Sequence, residues 1–325
     1  MSMDDREKSF EQYKRLIKSF ADPCKGIIYH YTSAEGFRGI VERNEIWLTN
    51  TEFVNDPTEC KALQTERDLF SEGELTNDLV KHAWDEFIKS PRGDNNTYIA
   101  SFCSGEESLE QWRAYGNFCI GFEAKKLVKN RFNLYQCVYH KEEIKQWILD
   151  KEKLRECVDF HPLEKGGAAY YIIMAGYHLI FAASKKYKNE SYEYEREIRL
   201  IAISNSFHTL KQFPDNRAMF EDDPPIHFRK HSCLDVPVPY VKFFIDEKEV
   251  QENREETAEE TPRQMKESKL RREKNKKRVL LPIKEILIGP MPYQQEAKIA
   301  CEILLCEKGY ENVEVKASSI PYRGF

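Results

Sequence analysis

Apolar residues recur along this chain in short blocks whose spacing switches between the helical and the extended period. Phe10, Tyr13, Leu16, Ile17 and Phe20 fall three and four apart, which predicts an amphipathic helix over residues 1–20, stopped by Asp22-Pro23. Ile27 to Tyr31 then reads as a strand. Thr32 or Ser33 can cap the helix that follows, whose buried stripe is Phe37, Ile40 and Val41. Ile46 to Thr49 predicts a second strand. Asp56 as N-cap, Pro57 at the first helical position and Glu59 behind it predict a helical region running to about Lys89, broken at Glu72-Gly73.

Tyr98 to Phe102 forms the next predicted strand. Ser104 and Glu107 have capping-box spacing for a helix carrying Leu109, Trp112 and Tyr115. Cys119 to Phe122 and Leu134 to Val138 read as further strands. Between Leu163 and Lys188, Tyr170, Ile173, Met174, Tyr177 and Phe181 keep the helical period. Glu195 to Ile203 is a predicted strand entered through charged residues, and Val238 to Ile245 is another. The chain closes on a strand–helix–strand unit: Glu285 to Ile288, a helix from Pro292 to Glu307 with Gly309 at its C-cap, and Val313 to Lys316. Ile286, Leu287 and Ile288 are consecutive apolar residues, as in a strand covered on both faces, with Ala297, Ala300, Cys301 and Leu304 as the helix stripe packed on it.

Asp246 to Arg278 breaks the pattern. It holds almost no large apolar residue, is mainly acidic through Glu260 and mainly basic from Arg263, and reads as a charged surface insertion whose basic half could contact nucleic acid. The expected fold class is therefore α+β: a split, twisted mixed sheet with packed helices. Residues 1–245 form the main domain, 246–278 the insertion, and 279–325 complete the same domain. No internal repeat interrupts this scheme.

Composition narrows the function classes. At 325 residues the chain suits one large domain or two small ones. With 41% hydrophobic and 32% charged residues it is a globular composition, which excludes a wholly disordered or collagenous chain. A net charge of −5 argues against nucleic-acid binding by the chain as a whole. The 9 cysteines are dispersed, odd in number and without a CxxC pair, so a structural zinc site has no support and the thiols read as reduced. No apolar run approaches the ~20 residues of a membrane span, and the start lacks a signal-peptide core; a cytoplasmic location without membrane partners is expected. Walker, GxGxxG, GxSxG and HExxH motifs are all absent from the sequence.

Four groups of polar residues remain as carriers of chemistry. His30 and Thr32 end the first strand just before a helix, where His30 is either a ligand or base or a hydrogen-bonded neighbour of the cap. Asn55 stands before Asp56-Pro57, whose capping role explains those two residues but not Asn55. Ser101 ends a strand that precedes Gln111-Trp112-Arg113-Ala114-Tyr115-Gly116. There Arg113 could grip phosphate or carboxylate, and Trp112 is a core or ring-binding residue. Glu195 and Glu197 share a face if both lie on a strand, with Arg199 beyond them. Two carboxylates side by side raise one pKa or demand a cation, and such a pair can stabilise positive charge at a sugar carbon; a salt-bridged strand edge is the alternative.

The strings YHYTSAEGFRGIVERNEIWLTNTEFVNDPTE, YIASFCSGEESLEQWRAYG, YEYEREIRLIAI, EILIGPMP and SSIPYR resemble, in that order, a bacterial domain family labelled only as of unknown function. The charged insertion looks like an addition to that pattern. More distantly, a strand-borne His followed by Thr, a middle strand ending in Ser and a late Glu-x-Glu strand resemble the ADP-ribosyltransferase superfamily.

That resemblance implies NAD as substrate, with His30 and Thr32 on the NAD ribose and Ser101 shaping the nicotinamide pocket. Tyr98 or Tyr115 would stack on the nicotinamide ring. Arg113 and Asn55 would also bind NAD, and Glu197 would be catalytic with Glu195 as the upstream acid. It implies a toxin or phage-defence effector that modifies a protein or nucleic-acid acceptor, with an antitoxin as a further partner. The chain departs from the superfamily in having His-Tyr-Thr where many toxins carry Arg. A non-catalytic nucleotide sensor or nucleic-acid-associated regulator, and an NAD glycohydrolase, are the alternative functions.

Overall fold

The structure, a computed structural model, describes residues 18–22, 24–89, 96–105, 107–129, 131–150, 168–204, 223–230, 235–246 and 278–320. In chain order the elements are β1 (Ile27–Thr32), α1 (Ala34–Arg43), β2 (Ile46–Asn50), α2 (Asp78–Lys89), β3 (Thr97–Cys103), α3 (Leu109–Tyr115), β4 (Phe118–Glu123) and β5 (Phe132–Gln136). Then follow α4 (Lys141–Leu149), α5 (Ala168–Lys186), β6 (Glu197–Ile203), β7 (His227–Lys230), β8 (Pro237–Phe243), β9 (Ile245–Asp246), β10 (Arg278–Val279), β11 (Ile283–Ile288), α6 (Gln294–Glu307) and β12 (Glu314–Ala317). The fold is mixed α/β, with a twisted mixed sheet and several helices, compatible with the α+β class. Among the described residues, no helix is long and apolar enough to cross a membrane, and no cluster of His, Cys, Asp or Glu could hold a metal ion.

The chain divides into two compact units. The first comprises Met1–Gly26, Leu48–Gly105 and Ala124–Val241, and the second Ile27–Trp47, Glu106–Glu123 and Lys242–Phe325.

In the first unit, β3 pairs antiparallel with β6, and β6 antiparallel with β5. The core gathers Leu63, Val80, Trp84, Ile144, Ile148, Leu179 and Ala183 from α2, α4, α5 and the loop before α2. Helix α4 was not among the expected elements, although Ile144, Trp147 and Ile148 carry its three-and-four spacing. The helix expected from Pro57 does not form. Asp56 Oδ1 does accept from the Thr58 backbone N–H at 2.8 Å and hydroxyl at 2.6 Å, which closes a turn. Cys60 then enters the left-handed region at φ 58°, a conformation that a helix cannot continue through. A short 3-10 turn at Ala62–Thr65 follows, and regular helix resumes only at Asp78.

In the second unit the strand order is β12–β11–β4–β1, with β12 parallel to β11 and the other pairs antiparallel. Helix α6 is the crossover between the two parallel strands, as that geometry requires. Ser33 is the cap of α1, accepting the Gly36 N–H at 3.1 Å. Gly309, at φ 80°, closes α6: its N–H donates to the Cys306 carbonyl and that of Tyr310 to Leu305. The buried stripe of α6 is Cys301 and Leu305, whereas Ala300 is exposed. Helix α3 starts from Ser108 rather than Ser104; the Ser108 hydroxyl accepts the Gln111 N–H, while the Ser108 N–H donates to Tyr31 Oη at 3.1 Å. That anchor from β1 fixes where the helix begins. Gly116 ends it at φ 117°, where a Cβ would come within 2.7 Å of the Thr32 carbonyl oxygen.

The N-terminal helix expected over 1–20 lies outside the described residues except for its end, where Phe20 is buried in the core of the first unit. Residues 163–167, 247–277 and 321–325, on which parts of the expected helix, insertion and C-terminal motif fall, also lie outside them.

Candidate functional site

A buried network of ions stands at the start of β6 in the first unit. The strand begins at Glu197 because Arg196 turns into the left-handed region at φ 45°, closing a 3-10 turn over Glu190–Glu195. Glu195 is therefore on a turn and not on the strand, contrary to the alternation expected from the sequence. The two carboxylates still converge, because one cation holds both: Lys188 Nζ lies 2.6 Å from Glu195 Oε2 and 2.8 Å from Glu197 Oε2.

The β3–β6 register places Cys103 opposite Glu197 and Ser101 opposite Arg199. Directly opposed residues share a sheet face, so Ser101, Glu197 and Arg199 project together. Tyr98 has the other parity on β3 and belongs to the opposite face. Ser101 is exposed, whereas Glu197 is 3% and Arg199 0% accessible, so solvent reaches the network's edge through the serine.

Every nitrogen of the Arg199 guanidinium is engaged. Nη1 donates to the Lys185 carbonyl at 2.6 Å, Nε to Glu197 Oε2 at 3.2 Å, and Nη2 pairs with Glu59 Oε1. Glu59 comes from the turn that follows Asp56-Pro57, and Lys188 stands 3.7 Å from its other oxygen. Three buried carboxylates thus share two buried cations. The Glu197 N–H donates to Tyr139 Oη at 2.7 Å, and the Cys137 thiol sits 3.4 Å from Glu197 Oε2.

The two glutamates that flank Arg199 diverge electrostatically. Burial works to raise Glu197, but the charges of Arg199 and Lys188 outweigh it and hold the carboxyl down at about 2. The Ser101 hydroxyl hydrogen-bonds the same carboxylate and adds to the lowering. Glu59 is pushed up by burial and by the neighbouring Glu197 and Asp56 charges, against the pull of Arg199 and Lys188. Burial drives the Cys60 thiol up to about 12 and Cys137 well above its ordinary value, so both are inert thiols. A small cavity beside Glu59, lined by Thr51, Cys60, Thr97, Ser184 and Lys185, has room for about one water molecule.

Of the other residues expected to bind a ligand, Asn55 is exposed in the first unit beside buried Asp56. His30, Thr32, Arg113 and Tyr115 belong to the second unit. His30 and Thr32 are half-buried on β1, Arg113 is exposed on α3, and Tyr115 ends that helix with 39% of its surface accessible. Between them Tyr31 and Trp112 make an edge-to-face pair at 4.6 Å, and the Trp112 ring lies where a Cβ on Gly289 would fall. The HYTS, QWRAYG and IGP segments are thus one packing assembly in the second unit.

Comparison with known proteins adds no relative. No protein-family model, no curated protein and no solved structure matches the chain.

Sequence reasoning missed Glu59 and Lys188 as members of the network. Glu59 is fully explained locally as part of a helix start, and Lys188 stands in a run of lysines that reads as a solvated helix end. Only the demand of paired carboxylates for a cation pointed to such a partner, without naming it.

Proposed function

We propose that the protein consumes NAD as an ADP-ribosyltransferase, with Glu197 as its electrostatic centre. The observation that supports this reading is a carboxylate kept ionised and hydrogen-bonded to an exposed serine on the same sheet face. In the reaction the bond between ribose C1′ and the nicotinamide nitrogen breaks, and its electron pair leaves with nicotinamide. Positive charge develops over C1′ and the ring oxygen. A fixed negative charge at that point lowers the barrier, because it is oriented before the charge appears. The acceptor nucleophile then bonds to C1′ and releases its proton. Ser101 borders the place where the nicotinamide ribose would stand, and a macromolecular acceptor is the expected nucleophile, with water as acceptor in the glycohydrolase alternative.

A second reading is favoured by one specific contact pattern. Lys188 and Arg199 both lie on Glu197 Oε2 and offset part of its charge, as suits a rigid nucleotide sensor without turnover. Incubating the purified protein with NAD, in the presence and absence of protein and RNA acceptors, separates these readings. Transfer to an acceptor supports the transferase, release of free ADP-ribose supports the glycohydrolase, and unchanged NAD leaves the sensor.

A further inference from the structure

We propose that the second unit binds single-stranded nucleic acid on a cationic surface gathered around Glu45, a function separate from the NAD reading of the first unit. Glu45, between α1 and β2, is the buried floor of this surface, with 3% of its area accessible. Its Oε1 accepts from the Trp47 indole N–H at 2.8 Å and pairs with Lys242 Nζ at 3.0 Å, while Oε2 pairs with Arg278 Nη1 at 3.2 Å. Burial works to raise this carboxyl, but the bonds from Trp47 and Lys242 and the charges of Lys242 and Arg278 keep it below its ordinary range.

The cations are the more exposed members. The Arg43 guanidinium lies over the Trp47 ring, 4.8 Å from its centroid. It folds back along α1 because Gly39 leaves the space: a Cβ there would fall 2.7 Å from Nη1. Among the described residues it has no carboxylate partner. Arg278 lies over the Phe244 ring at 4.3 Å, and its Nη1 also reaches the Arg43 carbonyl at 3.4 Å. Its Nε and Nη2 have no partner among the described residues. The other acids close by are Glu42, paired with Arg38 on α1, and Asp246, buried opposite Arg278 in the β9–β10 register. Three cations therefore meet one buried carboxylate, and positive charge is left over at the surface.

The chemistry of these groups selects the partner. A guanidinium held on an aromatic ring offers its free face to a second flat ring and its N–H edge to phosphate oxygens. An acidic peptide would engage the edge and leave the face idle, and a duplex keeps its bases stacked on one another. Unstacked bases joined by phosphates use both. The sequence that enters this surface is the most basic of the chain: Arg263 to Arg278 holds nine cations and two acids.

Fluorescence anisotropy of the full chain with labelled RNA and DNA single strands of about 20 nucleotides tests this. Wild-type Kd is expected at about 1–100 μM at physiological salt, weakening as salt rises. Arg43→Gln and Arg278→Gln should each weaken binding by about 5- to 30-fold and lower the salt slope by about 0.7. Trp47→Leu removes the platform under Arg43 but no charge, so affinity should fall with the salt slope unchanged. Lys89→Gln removes an exposed charge from the first unit and should bind as wild type.

No binding by the wild type, or patch variants that bind as tightly as wild type, overturns the proposal. So does an equal loss in Lys89→Gln, which would reveal diffuse attraction. Tighter binding of a blunt duplex, or binding of phosphatidylserine vesicles in place of single strands, assigns the surface to another partner and also overturns it. Arg43 is exposed and pairs with no acid, so Arg43→Gln decides if Arg278→Gln or Trp47→Leu does not fold. None of these measurements reads NAD, and failure of the transferase reading leaves their outcome intact.

Discussion

Tyr29 Oη donates a 2.6 Å hydrogen bond to Glu285 Oε1 over a strand that lies between them, because that strand carries Gly121 at the crossing point. Both residues are opposite Gly121 in the strand register, one on β1 and one on β11. A Cβ there would come within 2.9 Å of Glu285 Cγ and Ile27 Cγ2, and 3.2 Å of Tyr29 Cε1. Lys316 holds the other oxygen of Glu285 at 2.6 Å, and burial of the carboxyl is outweighed by these partners, which keep it below its ordinary range. Gly121→Ala should therefore destabilise the protein by about 1–3 kcal/mol in urea unfolding, as overpacking does. Tyr29→Phe, which removes one bond and strands no charge, should lose only about 1 kcal/mol. A neutral Gly121→Ala would show that the three strands yield more easily than their close packing implies.

The charged segment leaves and re-enters the second unit at one point. Asp246 on β9 and Arg278 on β10 are direct antiparallel partners, as are Ile245 and Val279. Two chain ends in that relation can be joined by a two-residue hairpin turn of the Asn-Gly type. Replacing residues 247–277 by such a turn is expected to leave the melting temperature within a few degrees. The re-entry point is independently fixed: Asn44 donates to the Val279 carbonyl and accepts from the Leu281 N–H, both at 2.8 Å. A loss of cooperative unfolding in the shortened protein would mean that the removed residues belong to the core.

What the sequence revealed and what it concealed divide along the range of the forces involved. Ile27 to Tyr31, the Ser33 cap and the Gly309 stop act through residues a few positions apart, and β1, α1 and the end of α6 stand where those signals put them. The helix expected after Pro57 failed because the local cap at Asp56 was real but was overruled three and four residues later. Glu59 pairs with Arg199, and Cys60 beside it takes a left-handed conformation that ends any helix. Glu195 left the strand for a related reason, since a left-handed Arg196 intervenes and Lys188, not alternation, brings it to Glu197. Buried ions are the least readable residues in a sequence, because a lysine such as Lys188 looks solvated until its distant partners are known.

The network should leave a signature in acid. A carboxyl whose folded-state pKa is depressed contributes stability that is complete above its unfolded value and is lost as pH falls through the folded value. For Glu197 that window runs from 4.5 down to about 2. Glu59, shifted upward, has the opposite sign, so comparison with a variant is more informative than the acid limb of the wild type. Glu197→Gln should be less stable than wild type by about 3 kcal/mol near neutral pH, since it breaks buried pairs with Lys188 and Arg199. The gap should narrow steadily below about pH 4 as the wild-type carboxyl takes up its proton. A gap that stays constant from pH 7 to pH 2 would show that Glu197 is not held ionised by its neighbours.

The catalytic reading makes its sharpest demand on the contrast between two glutamates of the same turn and strand. Glu197 is buried and ionised, while Glu193 is exposed and meets His140 at 3.2 Å. Glu197→Gln keeps the shape of the side chain and removes the charge that a ribosyl cation would meet. NAD turnover should then fall by about 100-fold or more. The affinity for NAD should change far less, because the charge it stabilises exists mainly in the transition state. Glu193→Gln should keep wild-type turnover. All variants need assay at a temperature where circular dichroism shows them folded. Equal losses in Glu197→Gln and Glu193→Gln, or a Glu197→Gln protein as fast as wild type, would remove Glu197 from the chemistry and leave its carboxylate as one member of a structural ion network.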